Sequence, residues 1–313
     1  MADPRARLQE LSPGQRAAFA RLVAKRRAIP DPDAADVSGF VLDTAASPDH
    51  AEVKAGYRRF YNTVSAQLDR DLYGDFSFFL NYGFASDGSP ELATVPLPEH
   101  YINRNSVKLV LELVGDCPIE GRRVLDVGCG RGGTAHVLKT FFKPAHVTGL
   151  DLSPNAVAFC RRAHGDANTE FIEGDAERLP FPDATFDVAT NVESSHSYPN
   201  IHRFHGEIAR VLRPGGHFLY TDALSLQQTQ AAIGFLQHVG LDVERDRDIT
   251  PNVLLSCDQI ATVRVQAFDA GNDQDLVANF LATPGSQVYV DLQSGRWTYR
   301  MLKLRKRSGA PGA

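Results

Sequence analysis

The chain of 313 residues has few cysteines, no long apolar run and only a small excess of negative charge. Its four cysteines are scattered, and no two have the spacing of a metal or redox pair. We therefore expect reduced thiols in a cytoplasmic protein rather than a disulfide scaffold. No apolar stretch approaches the roughly 18 residues of a membrane-spanning helix, and the N-terminus lacks a secretory signal. The formal net charge of −5 argues against a nucleic-acid partner.

The segment before residue 53 is basic at first and acidic afterwards. Residues 5–28 combine apolar positions at helical spacing with seven arginines and lysines, and Ser12 followed by Pro13 predicts the helix start. This basic helix packs on its own domain, docks on a partner protein or binds a membrane surface; the sequence leaves all three open. Residues 29–52, with several prolines and five aspartates, are interpreted as a linker.

Nine aromatic residues lie between positions 57 and 84. They can form a local core, wall an apolar substrate pocket, or do both. Pro96 and Pro98 interrupt the chain before a helix predicted at about residues 99–114.

From residue 122 the pattern alternates between strands and helices. Strands are predicted at residues 123–127, 146–151, 170–173, 186–190, 217–222, 241–247 and 296–305. Helices are predicted at residues 132–142, 153–164, 201–212, 228–239, 251–268 and 273–283. Such alternation indicates a parallel sheet with right-handed crossovers.

Residues 124–133 (Val-Leu-Asp-Val-Gly-Cys-Gly-Arg-Gly-Gly) run from a predicted buried strand into a turn and then a helix. Glycines in such a turn let the backbone approach a ligand, and the exposed amides offer donors. Asp126 comes just before these glycines and can accept a hydrogen bond from an ammonium group or a water. Alone, this loop is typical of many nucleotide-binding proteins.

Two further carboxylates follow the next two predicted strands. Asp151 lies 23 residues after Gly128, where an acidic residue can bind ribose hydroxyls. Asp175 follows the third strand, where it can reach the exocyclic amine of adenine. Three carboxylates in one crevice repel a pyrophosphate but attract a sulfonium and an α-amino group. We therefore expect S-adenosylmethionine rather than NAD.

Four motifs, in order over about residues 120–225, resemble those of class I S-adenosylmethionine-dependent methyltransferases. They are the glycine loop, Gly-Leu-Asp-Leu-Ser at 149–153, Gly-Asp-Ala at 174–176, and Val-Leu-Arg-Pro-Gly-Gly at 211–216. The resemblance implies an α/β fold with a Rossmann-like seven-stranded, mostly parallel sheet, helices on both faces and an N-terminal helical cap. It also implies cofactor contacts from Tyr82, Asp126, Gly128, Gly130, Asp151, Leu152, Asp175, Ala176 and Asn191.

Within that family, residues 191–199 (Asn-Val-Glu-Ser-Ser-His-Ser-Tyr-Pro) are similar to phthiotriol and phenolphthiotriol dimycocerosate methyltransferases. They also resemble O-methyltransferases of polyketide and nonribosomal-peptide pathways, as do residues 81–84 and 298–301. Residues 11–16 are similar to linkers that open megasynthase modules. The resemblance implies an enzyme of natural product biosynthesis that methylates a hydroxyl of a polyketide, peptide–polyketide or lipid-like acceptor. That acceptor is free or carrier-bound, and docking to a megasynthase through the N-terminal helix is one option.

Methyl transfer to oxygen needs a hydroxyl aligned with the methyl–sulfur bond and a base that removes its proton. His196 follows the fourth predicted strand and is our candidate base, because a neutral imidazole has a suitable pKa. A carboxylate that holds its tautomer would assist. Asp222 is the first candidate for that role, with Glu193 and Asp248 as alternatives. Glu193 can instead bind the cofactor, and no metal is required.

These patterns divide the chain into a basic helix and linker (1–50), a helical and aromatic cap (51–115), an S-adenosylmethionine-binding core (116–225), and the rest of the core with substrate-pocket helices (226–313). Residues 53–84 and 226–293 are expected to supply the acceptor pocket. A C- or N-methyltransferase of a small natural product is the nearest alternative, because the motifs bind the donor and say little about the acceptor atom. A non-catalytic binding protein of the same fold is a second alternative, disfavoured by the intact acidic and glycine positions.

Overall fold

The structure, a computed structural model, describes residues 50–70, 74, 77–93, 95–267 and 278–308. In chain order its elements are α1 (His50–Arg70), α2 (Arg104–Val114), β1 (Arg123–Val127), α3 (Gly133–Phe142), β2 (His146–Asp151), α4 (Pro154–Ala163), β3 (Thr169–Glu173), β4 (Phe186–Val192), α5 (Ile201–Val211), β5 (Leu212–Ser225), α6 (Leu226–His238), β6 (Leu241–Asp248), α7 (Thr250–Ala267), α8 (Gln287–Gln293) and β7 (Trp297–Lys306). A short 3-10 turn, Ser195–Ser197, follows β4.

The strands form one seven-stranded sheet in the order β3-β2-β1-β4-β5-β7-β6. Strands β1 to β5 pair in parallel, whereas β7 runs antiparallel to both β5 and β6. The predicted fold class is therefore confirmed. Since β1 leads to β2 on one side and lies beside β4 on the other, the strand order reverses at the end of β1. Ligands of open α/β sheets bind at such a point.

Both faces of the sheet are covered by helices, and each face has its own core. Val124 of β1 packs into a cluster with residues of α2, α7 and α8. Its neighbour Leu125 points to the opposite face and packs with Phe204 and Ile208 of α5 and Leu236 of α6. Burial on both faces explains why the central strands are nearly continuous apolar runs, the pattern that made them predictable.

Most element boundaries agree with the sequence expectations, and the differences have local causes. Strands β1 and β2 coincide with their predictions, whereas β5 begins earlier because a bulge over residues 213–216 separates the paired residues Leu212 and His217. Helix α2 begins at Arg104 rather than near residue 99, since Asn103 before it is left-handed at φ 57°. Helix α8 was not predicted. The helix expected at 273–283 is described only from residue 278, and residues 281–282 form a turn.

The N-terminal predictions fall mostly outside the described residues, including the basic helix and nearly all of the linker. Helix α1 begins at His50, so the linker predicted to residue 52 is three residues too long at its end. Val64 and Leu68 are buried on one face of this helix. Among the described residues, no helix is both long enough and apolar enough to cross a bilayer.

Candidate active site

A cleft opens at the carboxyl ends of strands β1 to β4. It measures about 1210 Å³, counting the part that is open to solvent. Loops after the strands form one wall, and α1, residues 78–82 and Phe280 form the other. Of the predicted site residues, the cleft is lined by Tyr82, Gly128, Gly130, Asp151, Leu152, Asp175, Ala176, Glu193 and His196. Asp126, Asn191 and Asp222 are buried beside it, each at most 2% exposed.

The glycine loop is held against β2 by hydrogen bonds that its backbone amides donate. The Gly128 amide donates to the carbonyl of Leu150 at 2.8 Å, and the Gly130 amide donates to Asp151 Oδ2 at 2.8 Å. Gly128 is left-handed at φ 68°, and a Cβ there would lie 2.1 Å from Ser194 Oγ. Only glycine satisfies both conditions, because Ser194 and Tyr198 occupy the space that a side chain at position 128 would need.

Two buried oxygens lie under this loop without a hydrogen-bond partner among the described residues, Asp126 Oδ2 and Asn191 Oδ1. The other Asp126 oxygen accepts from Thr190 Oγ1 at 2.7 Å, and the Asn191 amide nitrogen donates to the carbonyl of Val127 at 3.0 Å. Burial raises the pKa of Asp126 to about 7. Both oxygens can accept a hydrogen bond from a bound ligand or a water.

The predicted purine contact, Asp175, is already paired with a cation from α1. Lys54 Nζ lies 2.7 Å from Asp175 Oδ2 and 2.7 Å from Glu177 Oε2. Burial alone would lower the pKa of Lys54, but its hydrogen bonds to the two carboxylates raise it. These two ion pairs therefore connect helix α1 across the cleft to the loop that follows β3.

Glu193 anchors the opposite wall rather than pairing with His196. Its backbone is left-handed at φ 49°, and its carboxylate accepts from the Tyr82 amide at 2.9 Å and from the Tyr299 hydroxyl. This carboxylate fixes the predicted covering segment 81–84 to the end of β4. The Glu193 carboxylate is therefore not the partner of His196. Asp248, the other alternative, lies near Arg300 instead, with its Oδ2 3.6 Å from Arg300 Nη1.

His196 and Asp222 form the central pair of the site. His196 Nδ1 lies 2.8 Å from Asp222 Oδ1, and the His196 amide donates to Asp222 Oδ2 at 3.0 Å. Burial alone would lower the pKa of His196, but the charge and hydrogen bond of Asp222 outweigh it and raise the pKa above 6.5. With Nδ1 engaged, Nε2 is the nitrogen left for a ligand.

The Asp222 carboxylate is held from several sides. It accepts from the Ser195 hydroxyl at 2.5 Å and from the Ala223 amide at 2.8 Å, and Ser195 Oγ lies 2.7 Å from the Tyr220 hydroxyl. Burial opposes ionisation, but the His196 charge and these hydrogen bonds lower the pKa of Asp222 overall. An ionised carboxylate fixed in this way sets the orientation of the imidazole ring.

Arg131 of the glycine loop joins that loop to α1, a role that no motif in the sequence indicates. Its fully buried guanidinium lies 2.8 Å from Asp69 Oδ1. It also donates to the carbonyl oxygens of Ser65, Gly74 and Ser77 at 2.8–3.1 Å. The sequence did contain one signal, an arginine between two glycines of a ligand-binding loop. In that position its guanidinium must either face a ligand or be buried against acceptor groups of the protein.

The motifs assign no individual role to six other site residues, although residues 53–84 were expected to supply the acceptor pocket: Lys54, Tyr61, Ser195, Ser197, Tyr220 and Tyr299. Each acts across more than 20 positions of sequence, and no periodicity or spacing links it to its partner.

Comparisons with known proteins identify the family. A family model for a methyltransferase domain matches residues 125–220. The phthiotriol/phenolphthiotriol dimycocerosates methyltransferase of Mycobacterium tuberculosis is 32% identical over 268 residues, which cover 80% of this chain and 93% of that protein. The chain belongs to this methyltransferase family. The fatty-acid O-methyltransferase of Mycolicibacterium smegmatis is 52% identical over 155 residues, which cover only 49% of this chain and 56% of that protein.

Solved structures confirm the fold of this methyltransferase. The [4+2]-cyclase SpnF superposes with a TM-score of 0.63 at 22% identity, covering 82% of this chain and 97% of that chain. Geranyl diphosphate methyltransferase in complex with S-adenosylmethionine has a TM-score of 0.56 at 18% identity, covering 74% of this chain and 99% of that chain. At these identities the likeness concerns the fold alone.

The methyltransferase depends on S-adenosylmethionine, as the sequence predicted, and the residues of the cleft fit a cationic donor. Asp126 Oδ2 and Asn191 Oδ1 are acceptors without a partner among the described residues. The cations that line the cleft, Lys54 and Arg131, are both ion-paired. The carboxylates that line it are Asp151, Asp175, Glu177 and Glu193.

Proposed function

We propose that this methyltransferase methylates a hydroxyl oxygen of a lipid-like or polyketide-type acceptor, with His196 as general base. The observation that carries the proposal is the His196–Asp222 pair, 2.8 Å apart at the edge of the donor cleft. Methylation of an already ionised group would not need this arrangement, whereas a neutral hydroxyl must lose its proton as the new bond forms.

His196 Nε2 takes the hydroxyl proton, and the imidazolium that forms is stabilised by the ionised Asp222. The carboxylate also keeps the imidazole hydrogen on Nδ1, so that Nε2 is the basic nitrogen. Asp222 itself stays ionised because its remaining lone pairs accept hydrogen bonds from Ser195 and Ala223.

S-Adenosylmethionine, when bound, supplies an electrophilic methyl group on a sulfonium. We assign its binding to Gly128 and Gly130 of the glycine loop, with Asp151 and Leu152 after β2, and Asp175 and Ala176 after β3. Asp126 and Asn191 support this region from below through their unpartnered oxygens. Tyr82, held by Glu193, covers it.

The acceptor would lie against the aromatic residues of α1 and Phe280. Tyr57, Tyr61 and Phe280 line the cleft, whereas Phe84 is fully buried in the core, so the aromatic segment serves both purposes considered from the sequence. From the stretch 226–293, Phe280 is the contributor among the described lining residues. An apolar wall of this kind suits a hydrocarbon chain, whether the acceptor is free or attached to an acyl carrier.

The proposal is tested by incubating the protein with trideuteromethyl S-adenosylmethionine and long-chain hydroxy compounds, each offered free and on a carrier protein. Mass spectrometry and NMR of the product locate the label. Label on oxygen supports the proposal, and a requirement for the carrier indicates a synthase-associated enzyme. Label on carbon or nitrogen would instead favour the alternative methyltransferase classes.

The pH dependence of turnover provides a second test. Since the neutral imidazole is the base and Asp222 raises its pKa, kcat/KM is expected to rise with pH through an apparent pKa above 6.5. Asp222→Asn removes the charge, so the rising limb should move to lower pH and the plateau should fall. Asp248 was an alternative partner of His196 but does not contact it, so Asp248→Asn should not shift the rising limb of the pH profile. An unmoved limb in Asp222→Asn would assign the titration to another group.

A further inference from the structure

Three hydroxyl groups meet beside the proposed base, from Tyr57 and Tyr61 on α1 and from Ser197 in the 3-10 turn. We call them the hydroxyl cluster. The Tyr61 hydroxyl lies 3.1 Å from Ser197 Oγ, and Tyr57 also hydrogen-bonds to Ser197. Ser197 directly follows His196, and all four residues line the cleft. The cluster therefore faces the same space as the base.

Aromatic rings border the hydroxyl cluster on one side, and the carboxylates of Asp151 and Asp222 lie within electrostatic range of Tyr61. The Tyr61 ring packs edge-on against Phe60 at 5.2 Å and Phe280 at 6.4 Å between centroids. The rings of Tyr57 and Tyr61, one helical turn apart, are stacked. Burial raises the pKa of both tyrosines, so their hydroxyls stay neutral and remain hydrogen-bond donors. Polar groups within an apolar wall fix the orientation of a ligand.

Counting hydrogens indicates what the cluster can offer. Each hydroxyl has one hydrogen and two lone pairs. The hydrogen bond between Tyr61 and Ser197 uses one of their two hydrogens. When Ser197 donates to Tyr61, the Tyr61 hydrogen is free to point into the cleft, and lone pairs stay available beside it. A neutral ligand oxygen can pair with this hydrogen or with the lone pairs beside it. A methylene group in the same place would leave these hydroxyl groups without a hydrogen-bond partner from the ligand.

We infer that the hydroxyl cluster binds a second oxygen of the acceptor, close along the chain to the oxygen that is methylated. The preferred acceptors are then dioxygenated chains, such as a β-hydroxyacyl group or a β-diol, rather than simple long-chain alcohols. This inference rests on the proposed O-methylation at His196. Tyr61 and Ser197 act in it as acceptor-binding residues that determine specificity.

The test compares two acceptors of equal chain length, a long-chain β-hydroxy ester and the corresponding secondary alcohol without the second oxygen. Wild-type protein is expected to prefer the ester. Tyr61→Phe, which keeps the ring, should lower kcat/KM for the ester by about tenfold or more and change the alcohol by no more than about twofold. Ser197→Ala should have the same selective effect. Tyr101→Phe removes a tyrosine hydroxyl outside the cleft and should change neither value.

If Tyr61→Phe lowers kcat/KM equally for both acceptors, Tyr61 acts in methyl transfer itself and the inference is wrong. If it raises the Kd for S-adenosylmethionine, Tyr61 binds the donor and the inference is also wrong. Equal wild-type kcat/KM for the two acceptors would overturn it while leaving the proposed O-methylation intact. Failure of the wild type to methylate either one, with normal donor binding, would overturn both.

Discussion

Replacement of His196 with alanine is expected to lower kcat by about 10²–10⁴-fold, the usual contribution of a general base. The Kd for S-adenosylmethionine should stay within about twofold, because the proposed donor contacts are made by the glycine loop and the ends of β2 and β3. Steady-state kinetics at saturating donor measure the first quantity, and calorimetry measures the second.

His196→Ala also removes the imidazole that pairs with the buried Asp222, so the variant can lose stability as well as its base. A second variant is needed to distinguish a loss of stability from a loss of catalysis. His196→Asn keeps an N–H donor near Asp222 Oδ1 but lacks a basic nitrogen, and it should be as inactive as the alanine variant. His202→Ala is the matched control, since His202 stacks on Phe235 at 4.5 Å and does not line the cleft. Near-normal turnover in both His196 variants would exclude His196 as the base.

Arg131→Met is expected to lower the free energy of unfolding by about 3 kcal/mol, because a fully buried guanidinium loses its hydrogen bonds to several carbonyl oxygens. Methionine fills much of the volume but donates nothing to Asp69 or to the carbonyl oxygens of Ser65, Gly74 and Ser77, while Arg162 still pairs with Asp69. Because the same guanidinium joins the glycine loop to α1, the affinity for S-adenosylmethionine should fall as well. Urea denaturation and donor titration measure the two effects.

The matched control for this substitution is Arg162→Met, because Arg162 also pairs with Asp69, at 3.2 Å. Its side chain is 62% exposed, so its removal should cost no more than about 1 kcal/mol. If the two variants lose similar free energy of unfolding, then the ion pair with Asp69 accounts for the effect, and the burial of Arg131 does not. An unchanged donor affinity in Arg131→Met would separate α1 from donor binding.

The sheet was predictable because its information is local. Strands β1 and β2 are short apolar runs bounded by polar or turn residues, and parallel strands buried on both faces require such runs. The start of α4 was equally clear, since Ser153 caps the helix by accepting from the Ala156 amide and Pro154 follows it. The seven-residue α8 was missed because it shows less than two full periods of a helical pattern.

The candidate site divides in the same way. The proposed donor contacts Gly128, Asp151 and Asp175 lie at strand ends within motifs, so their meeting in one crevice followed from the topology. The choice among Asp222, Glu193 and Asp248 as the partner of His196 did not, since all three lie near strand ends. The left-handed backbone at Glu193 turns its carboxylate toward Tyr82, and this leaves Asp222 to the histidine.

The sequence by itself determined the methyltransferase class, the donor and the seven-stranded sheet, because each is encoded in contiguous motifs or in the burial pattern of single strands. Only the tertiary structure decided what closes the cleft. Lys54 on Asp175, Arg131 beneath α1 and Tyr61 beside Ser197 join segments between 62 and 136 positions apart. Such contacts depend on how helix α1 packs on the completed sheet, and no local pattern of residues specifies that packing.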